Sequence, residues 1–199
     1  MITPNRWSEP RCDADFQIAH PSFMASFIWV MILTLAAIGS TFALSCVTPF
    51  AALAVALAGT VGLRASLRIM IVVWFANQVM GFGFFHFPHT ANTYLWGVAI
   101  GGAALVTTIV TSVVMKYASS RATPFRLGVA LLLSFGAYEM TLLGAAVFLG
   151  GLETFEPAIF AQLAFINAVS LVGMVVLNEV AAALCKPWLG RIPRLVRSW

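Results

Sequence analysis

The sequence predicts an all-α integral membrane bundle of six transmembrane helices with both termini in the cytoplasm. Three observations predict it. The chain has 199 residues, 61% of them hydrophobic and only 9% charged, with a mean hydropathy of +0.95. Six apolar stretches each approach the roughly 20 residues that cross a hydrocarbon core, and they lack the polar stripe that a soluble helix keeps toward water. Drawing the spans in order then places all 11 Lys and Arg on one side of the membrane.

The spans fall at about 23–45, 48–64, 68–86, 93–115, 125–149 and 157–184. Thr48-Pro49 reads as an N-cap followed by proline at the first helical position, and Thr123-Pro124 and Glu156-Pro157 open the last two spans in the same way. Pro88 stops the third, because it lacks an amide hydrogen and restricts the residue before it. The second stretch is short and rich in alanine, AALAVALAG from Ala51. Small residues recur on it at Ala52, Ala54, Ala56 and Ala58, and on the first span at Ala36, Gly39, Ser40 and Ala43. Such faces let helices approach closely, within the chain or against another membrane subunit.

Orientation follows from charge. Arg6 and Arg11 lie in a polar leader (1–22), Arg64 and Arg68 between spans two and three, and Lys116, Arg121 and Arg126 between spans four and five. Lys186, Arg191, Arg194 and Arg197 lie in a basic tail (186–199), which leaves 23–185 as one transmembrane domain. The three connections on the other side hold no Lys or Arg, so that side is predicted to face outward from a bacterial inner membrane. The pI near 9.3 expresses this asymmetry; no basic stripe interleaved with aromatics points to nucleic acid.

Several chemistries lack their residues. There is no Walker A motif, no HExxH, no GxSxG elbow and no histidine-rich cluster. Cys12, Cys46 and Cys185 are far apart and have no CxxC spacing. The chain reads as neither an enzyme nor a cofactor carrier.

Against this apolar background residues 77–92, NQVMGFGFFHFPHTAN, stand out. The topology puts Asn77 and Gln78 at or beyond mid-membrane, and His86, His89 and Asn92 at the outer end, with Trp96 just inside the next span. On the fifth span Glu139 falls near the bilayer centre. On the sixth, Gln162 and Asn167 fall in the outer half, and Asn178 and Glu179 near the cytoplasmic end. An ionisable side chain at membrane depth is costly and normally faces the bundle interior. Glu139 is therefore either a bonded carboxyl that glues helices or a ligand contact. Asn77, Gln78 and Asn167 divide between interhelical hydrogen bonds and the same pocket. His86 and His89 have HxxH spacing with Pro88 between them, off any single helical face, and too few further ligands are near for a metal site. Aromatics mixed with Asn, Gln, His and one acid suit a small polar molecule arriving from the outer side. The expected substrate contacts are Glu139, Asn77, Gln78, His86, His89, Asn92, Trp96 and Asn167.

Six spans in about 200 residues, an outward polar-aromatic pocket and no ATPase motif together resemble the S components of energy-coupling-factor transporters. Ala36 and Ser40 match by size the AxxxA pattern of that family's first span. The resemblance implies a membrane substrate-binding subunit for uptake of a micronutrient, partnered by a coupling subunit and two ATPases. The alternative is a non-catalytic accessory subunit of a respiratory or photosynthetic complex, binding pigment, quinone or lipid.

Overall fold

The computed structural model describes residues 27–28, 31–35, 39, 48–118 and 122–189. Among them every regular element is helical: α1 (Phe50–Thr60), α2 (Leu63–Gly83), α3 (Ala91–Tyr117), α4 (Thr123–Leu149) and α5 (Pro157–Leu189), with one 3-10 turn at Leu152–Thr154. The residues described between 27 and 39 are helical, in keeping with a first span. Ala36, Ser40 and Ala43, the leader and residues 190–199 lie outside the described residues.

Four helices, α2 to α5, are long and apolar enough to cross a membrane. They form an up-and-down bundle in which α3 lies between α2 and α4. Arg64, Arg68, Lys116 and Arg126 lie within two turns of the ends of these helices, and alternation places them together at what we term the basic end. Gly83, Ala91, Leu149 and Pro157 mark the distal end. Arg64 and Arg68 were expected between spans; they belong instead to the first two turns of α2, because the connection is only Val61-Gly62. Long basic side chains tolerate such positions by reaching toward the aqueous boundary.

The expected second span is corrected. Helix α1 has 11 residues, about 16 Å at 1.5 Å per residue, against roughly 30 Å of hydrocarbon. It does not cross. Every residue from Phe50 to Leu57 is buried, packed against α3, α4, α5 and Leu33 of the preceding segment. Hydropathy counts apolar residues and does not distinguish a helix inside a bundle from one facing lipid. The alanines expected to offer a close-approach face do so within the chain: Ala52, Ala54 and Ala56 are wholly buried.

Local chemistry explains the limits of α1. Thr48 was expected as its N-cap; instead the N-cap position is Pro49, with no side-chain cap bond. At the other end the Thr60 hydroxyl donates to the Ala56 carbonyl at 2.8 Å, and Gly62 turns the chain straight into α2. Helix α2 ends at Gly83, five residues before Pro88. The Phe84 and Phe85 amides both donate to the Met80 carbonyl, and the Phe87 amide folds back to Gly81 at 3.1 Å. A Cβ on Gly81 would lie 2.7 Å from the Phe87 ring, so this return depends on glycine.

Two further contacts lock the long helices. Trp74 and Gln78 on α2 lie over Gly97 and Gly101 on α3, and the Trp74 indole donates to the Gly97 carbonyl at 2.9 Å. Deeper in the bundle, the Thr111 hydroxyl of α3 and the Ser134 hydroxyl of α4 meet within bonding distance, each also beside a carbonyl of its own helix; with one proton apiece, one donates across and the other back to its helix. These are the small-residue approach and polar glue expected between helices in lipid.

Candidate functional site

The structure distributes six of the eight expected contact residues over three places and leaves His86 and Asn92 on the exposed distal surface. The first is the start of α1. Asn77 lies six residues before the end of α2, about 9 Å below the distal end. Its Oδ1 accepts the Thr48 hydroxyl at 2.8 Å. Asn167, 6% exposed on α5, accepts the Ala52 amide on Oδ1 at 3.1 Å and donates from Nδ2 to the Leu163 carbonyl at 3.0 Å. Ala52 is the third residue of α1, so Asn167 does from a distant helix what an N-cap side chain does locally. Asn77 and Asn167 hold a buried helix start, and these bonds leave their side-chain carbonyl oxygens engaged.

The second place is an open groove of about 390 Å³ between α2 and α3, lined chiefly by Trp74, Gln78, Phe82, His89 and Tyr94. His89 is bonded through Nδ1 to the Tyr94 hydroxyl at 2.8 Å. Its ring stacks on Phe82, with centroids 5.5 Å apart, and Phe82 stacks on Tyr94 at 4.8 Å. His86 and Asn92 are exposed at the distal end and line neither cavity. His86 takes a left-handed backbone (φ 53°), which with Pro88 separates it from His89. Among the described residues no three His, Cys, Asp or Glu gather as a metal site would require.

Glu139 is in the third place. Where α3, α4 and α5 meet near the distal end, a cavity of about 210 Å³ is lined by Trp96, Glu139, Leu142, Phe155, Ile159, Phe160 and Leu163. Helix α4 packs closely along α3 but sparingly on α5, which leaves the space. Glu139 is only 7% exposed, and its Oε1 is buried without a hydrogen-bond partner. The connection from α4 to α5 borders the cavity through Phe155. Gly150 and Gly151 both take positive φ (81° and 98°), the conformation glycine adopts without strain, and a Cβ on Gly151 would stand 3.4 Å from Trp96. Beyond the turn Phe155 joins the lining. Phe160 is tied to Phe135 of α4, with ring centroids 4.9 Å apart.

Of the expected residues, Glu139 and Trp96 thus share a cavity, and Gln78 and His89 share another. Sequence reasoning missed Phe155, Ile159, Phe160 and Leu163. The last three have the spacing of one helical face beginning two residues after Pro157, which is the signal that could have found them. Gln162, between them, is exposed on the opposite side. No protein-family model, curated protein or solved structure matches this chain.

Proposed function

We propose that this chain is a non-catalytic membrane subunit that captures a small molecule from the outer side of a bacterial inner membrane. It hands the molecule to a coupling subunit driven by separate ATPases, as the S components it resembles do. The observation that carries the reading is Glu139: a buried carboxyl with an unpartnered oxygen, on a residue that lines a cavity with aromatic walls. An unmatched polar atom at this depth is costly, and of the four residues with such an atom among those described, Thr107, Arg126, Glu139 and Glu179, Glu139 is the one that lines a described cavity. The cavity lies toward the distal end, away from the described basic residues, and the positive-inside rule makes that the outer side.

The test is Glu139→Gln, which keeps the shape and removes the charge or the carboxyl's proton-donor geometry. A hydrogen bond to a charged group contributes about 1.5–3 kcal/mol, so affinity falls by roughly one to two orders of magnitude. Native mass spectra of the purified protein are expected to show a small-molecule adduct that the variant lacks, at an unchanged melting temperature. Lost stability with the adduct retained would make Glu139 a structural residue.

The orientation has its own measurement. With Cys12, Cys46 and Cys185 replaced by Ala, a cysteine at Thr90 or Thr154 is expected to react with an impermeant maleimide in intact cells. One at Ser119 is expected to stay unlabelled; labelling there alone would turn the cavity toward the cytoplasm.

One observation favours the second reading, an accessory subunit that binds pigment, quinone or lipid. The groove beside Trp74, Phe82 and Tyr94 is open on the lipid side of α2 and α3 and is mostly apolar. A flat ring or an acyl chain fits it better than a polar solute does.

A further inference from the structure

We infer that the Glu139 cavity takes an organic cation: an alkyl- or arylammonium group held by one carboxylate within an aromatic wall. This rests on the reading of that cavity as the ligand site and names the chemical class of its ligand.

The lining carries the argument. Its seven residues include one ionisable group, Glu139, and one further hydrogen-bonding side chain, Trp96; the rest are Leu, Ile and Phe. An anion would meet a carboxylate and no Lys, Arg or His. A sugar or other neutral polar molecule would bury several hydroxyl or amide groups against walls unable to bond them, and each such group is costly. A divalent ion would find one carboxylate, too few for a closed site. A purely apolar ligand would leave the Glu139 oxygen as unmatched as it is now.

An ammonium group answers every feature of the wall. Its charge pairs with Glu139, and its carbon substituents lie on Trp96, Phe155 and Phe160, whose ring faces attract cations. The cavity is smaller than the roughly 300–1,000 Å³ typical of drug-sized ligands, so the cation is small.

The approach to the cavity has the same sign. Phe155 lies on the connection that also carries Glu153 and Glu156, both exposed. The two described distal connections, 84–90 and 150–156, contain no Lys or Arg. A cation arriving at this end meets an acidic rim, which raises its local concentration.

The ammonium group could belong to a free solute or to a lipid headgroup, and the test separates them. Purified protein in phosphatidylglycerol nanodiscs is titrated with tetramethylammonium, choline and phenyltrimethylammonium. A parallel titration uses the uncharged isostere of choline, in which a tert-butyl group replaces trimethylammonium. At least one cation is expected to bind, with choline at least about ten-fold tighter than its isostere; Glu139→Gln is expected to weaken the cation about ten-fold or more. Trp96→Leu keeps the carboxylate and removes an aromatic face. It is expected to weaken the same cation about three-fold or more without affecting the isostere, and it serves as the second probe if Glu139→Gln melts early. Phosphatidylcholine in the nanodisc competes if the natural cation is a headgroup and does not compete if it is a free solute. Equal affinity for choline and its isostere, or no binding by any of the three cations, overturns the inference. In that event a neutral adduct lost from the Glu139→Gln protein would keep the cavity as a ligand site, and its absence would remove both.

Discussion

Asn167→Leu is expected to lower the stability of the folded bundle by about 2–3 kcal/mol, with Asn167→Asp losing less than half of that. The leucine has similar bulk and suits an apolar environment, so a residue that merely filled space would tolerate the change. What it removes is the one acceptor that α5 extends to the Ala52 amide. That amide belongs to the first turn of a helix, where no carbonyl of the same helix is available. Around it Phe50 to Leu57 are all buried, so water cannot substitute. The aspartate keeps an acceptor at a helix N-terminus, where negative charge is favourable, but it cannot donate to the Leu163 carbonyl as Nδ2 does. The measurement is the midpoint of unfolding, by heat in mild detergent and by titration with a denaturing detergent. Equal losses for the two variants would mean that the side chain's donor, or its packing, matters more than the cap.

The second large effect is at the crossing of α2 and α3. Gly101→Leu is expected to destabilise by about 2–3 kcal/mol, and Gly102→Leu by less than about 0.5 kcal/mol. The two glycines are neighbours on one helix, so the change in helix propensity is the same for both. Their surroundings differ. A Cβ at Gly101 would stand 2.7 Å from the Trp74 ring, whereas one at Gly102 would meet nothing within 4 Å. The indole cannot swing aside freely, because its N–H is bonded to the Gly97 carbonyl one turn away. Moving it costs that bond as well as the overlap. It would also disturb the groove that Trp74 lines with Gln78 and Tyr94. If both leucine variants melt together, the crossing is not the constraint that this geometry implies.

Both predictions concern residues whose importance a linear reading underestimates. Asn167 was expected among ligand contacts because amides in an apolar helix need partners. That need was legible; the partner was not, since Ala52 is 115 residues away and nothing in AALAVALAG announces an unmet amide. Asn77 followed the same course, with Thr48 as its partner. Gly97 and Gly101 have the four-residue spacing of a close-approach face, but many glycines in this chain have nothing beside them. Only the position of Trp74 makes this pair matter. For Glu139 the cost of an acid at membrane depth pointed to a purpose from sequence, and the structure sets it in the lining of a cavity with Trp96 and Phe160.

The sequence by itself determined that the chain belongs in a membrane, that its order is helical, and where most long helices begin and end. Those properties depend on composition summed over some twenty residues and on proline and glycine at the boundaries, which act locally. It also determined the one-sided charge from which an orientation is proposed. Tertiary structure alone decided that residues 50–60 form a buried helix instead of a span, because an apolar run has the same hydropathy whether it faces lipid or protein. It alone divided the polar residues into those that satisfy one another and those that keep a buried unpartnered atom, which among the described residues are Thr107, Arg126, Glu139 and Glu179. Hydrogen-bond satisfaction is a property of pairs: it arises only when two helices bring a donor and an acceptor within about 3 Å. Glu139 had no such partner brought to its Oε1, and of the four residues in that position it is the one that lines a described cavity; on this the proposed ligand site rests.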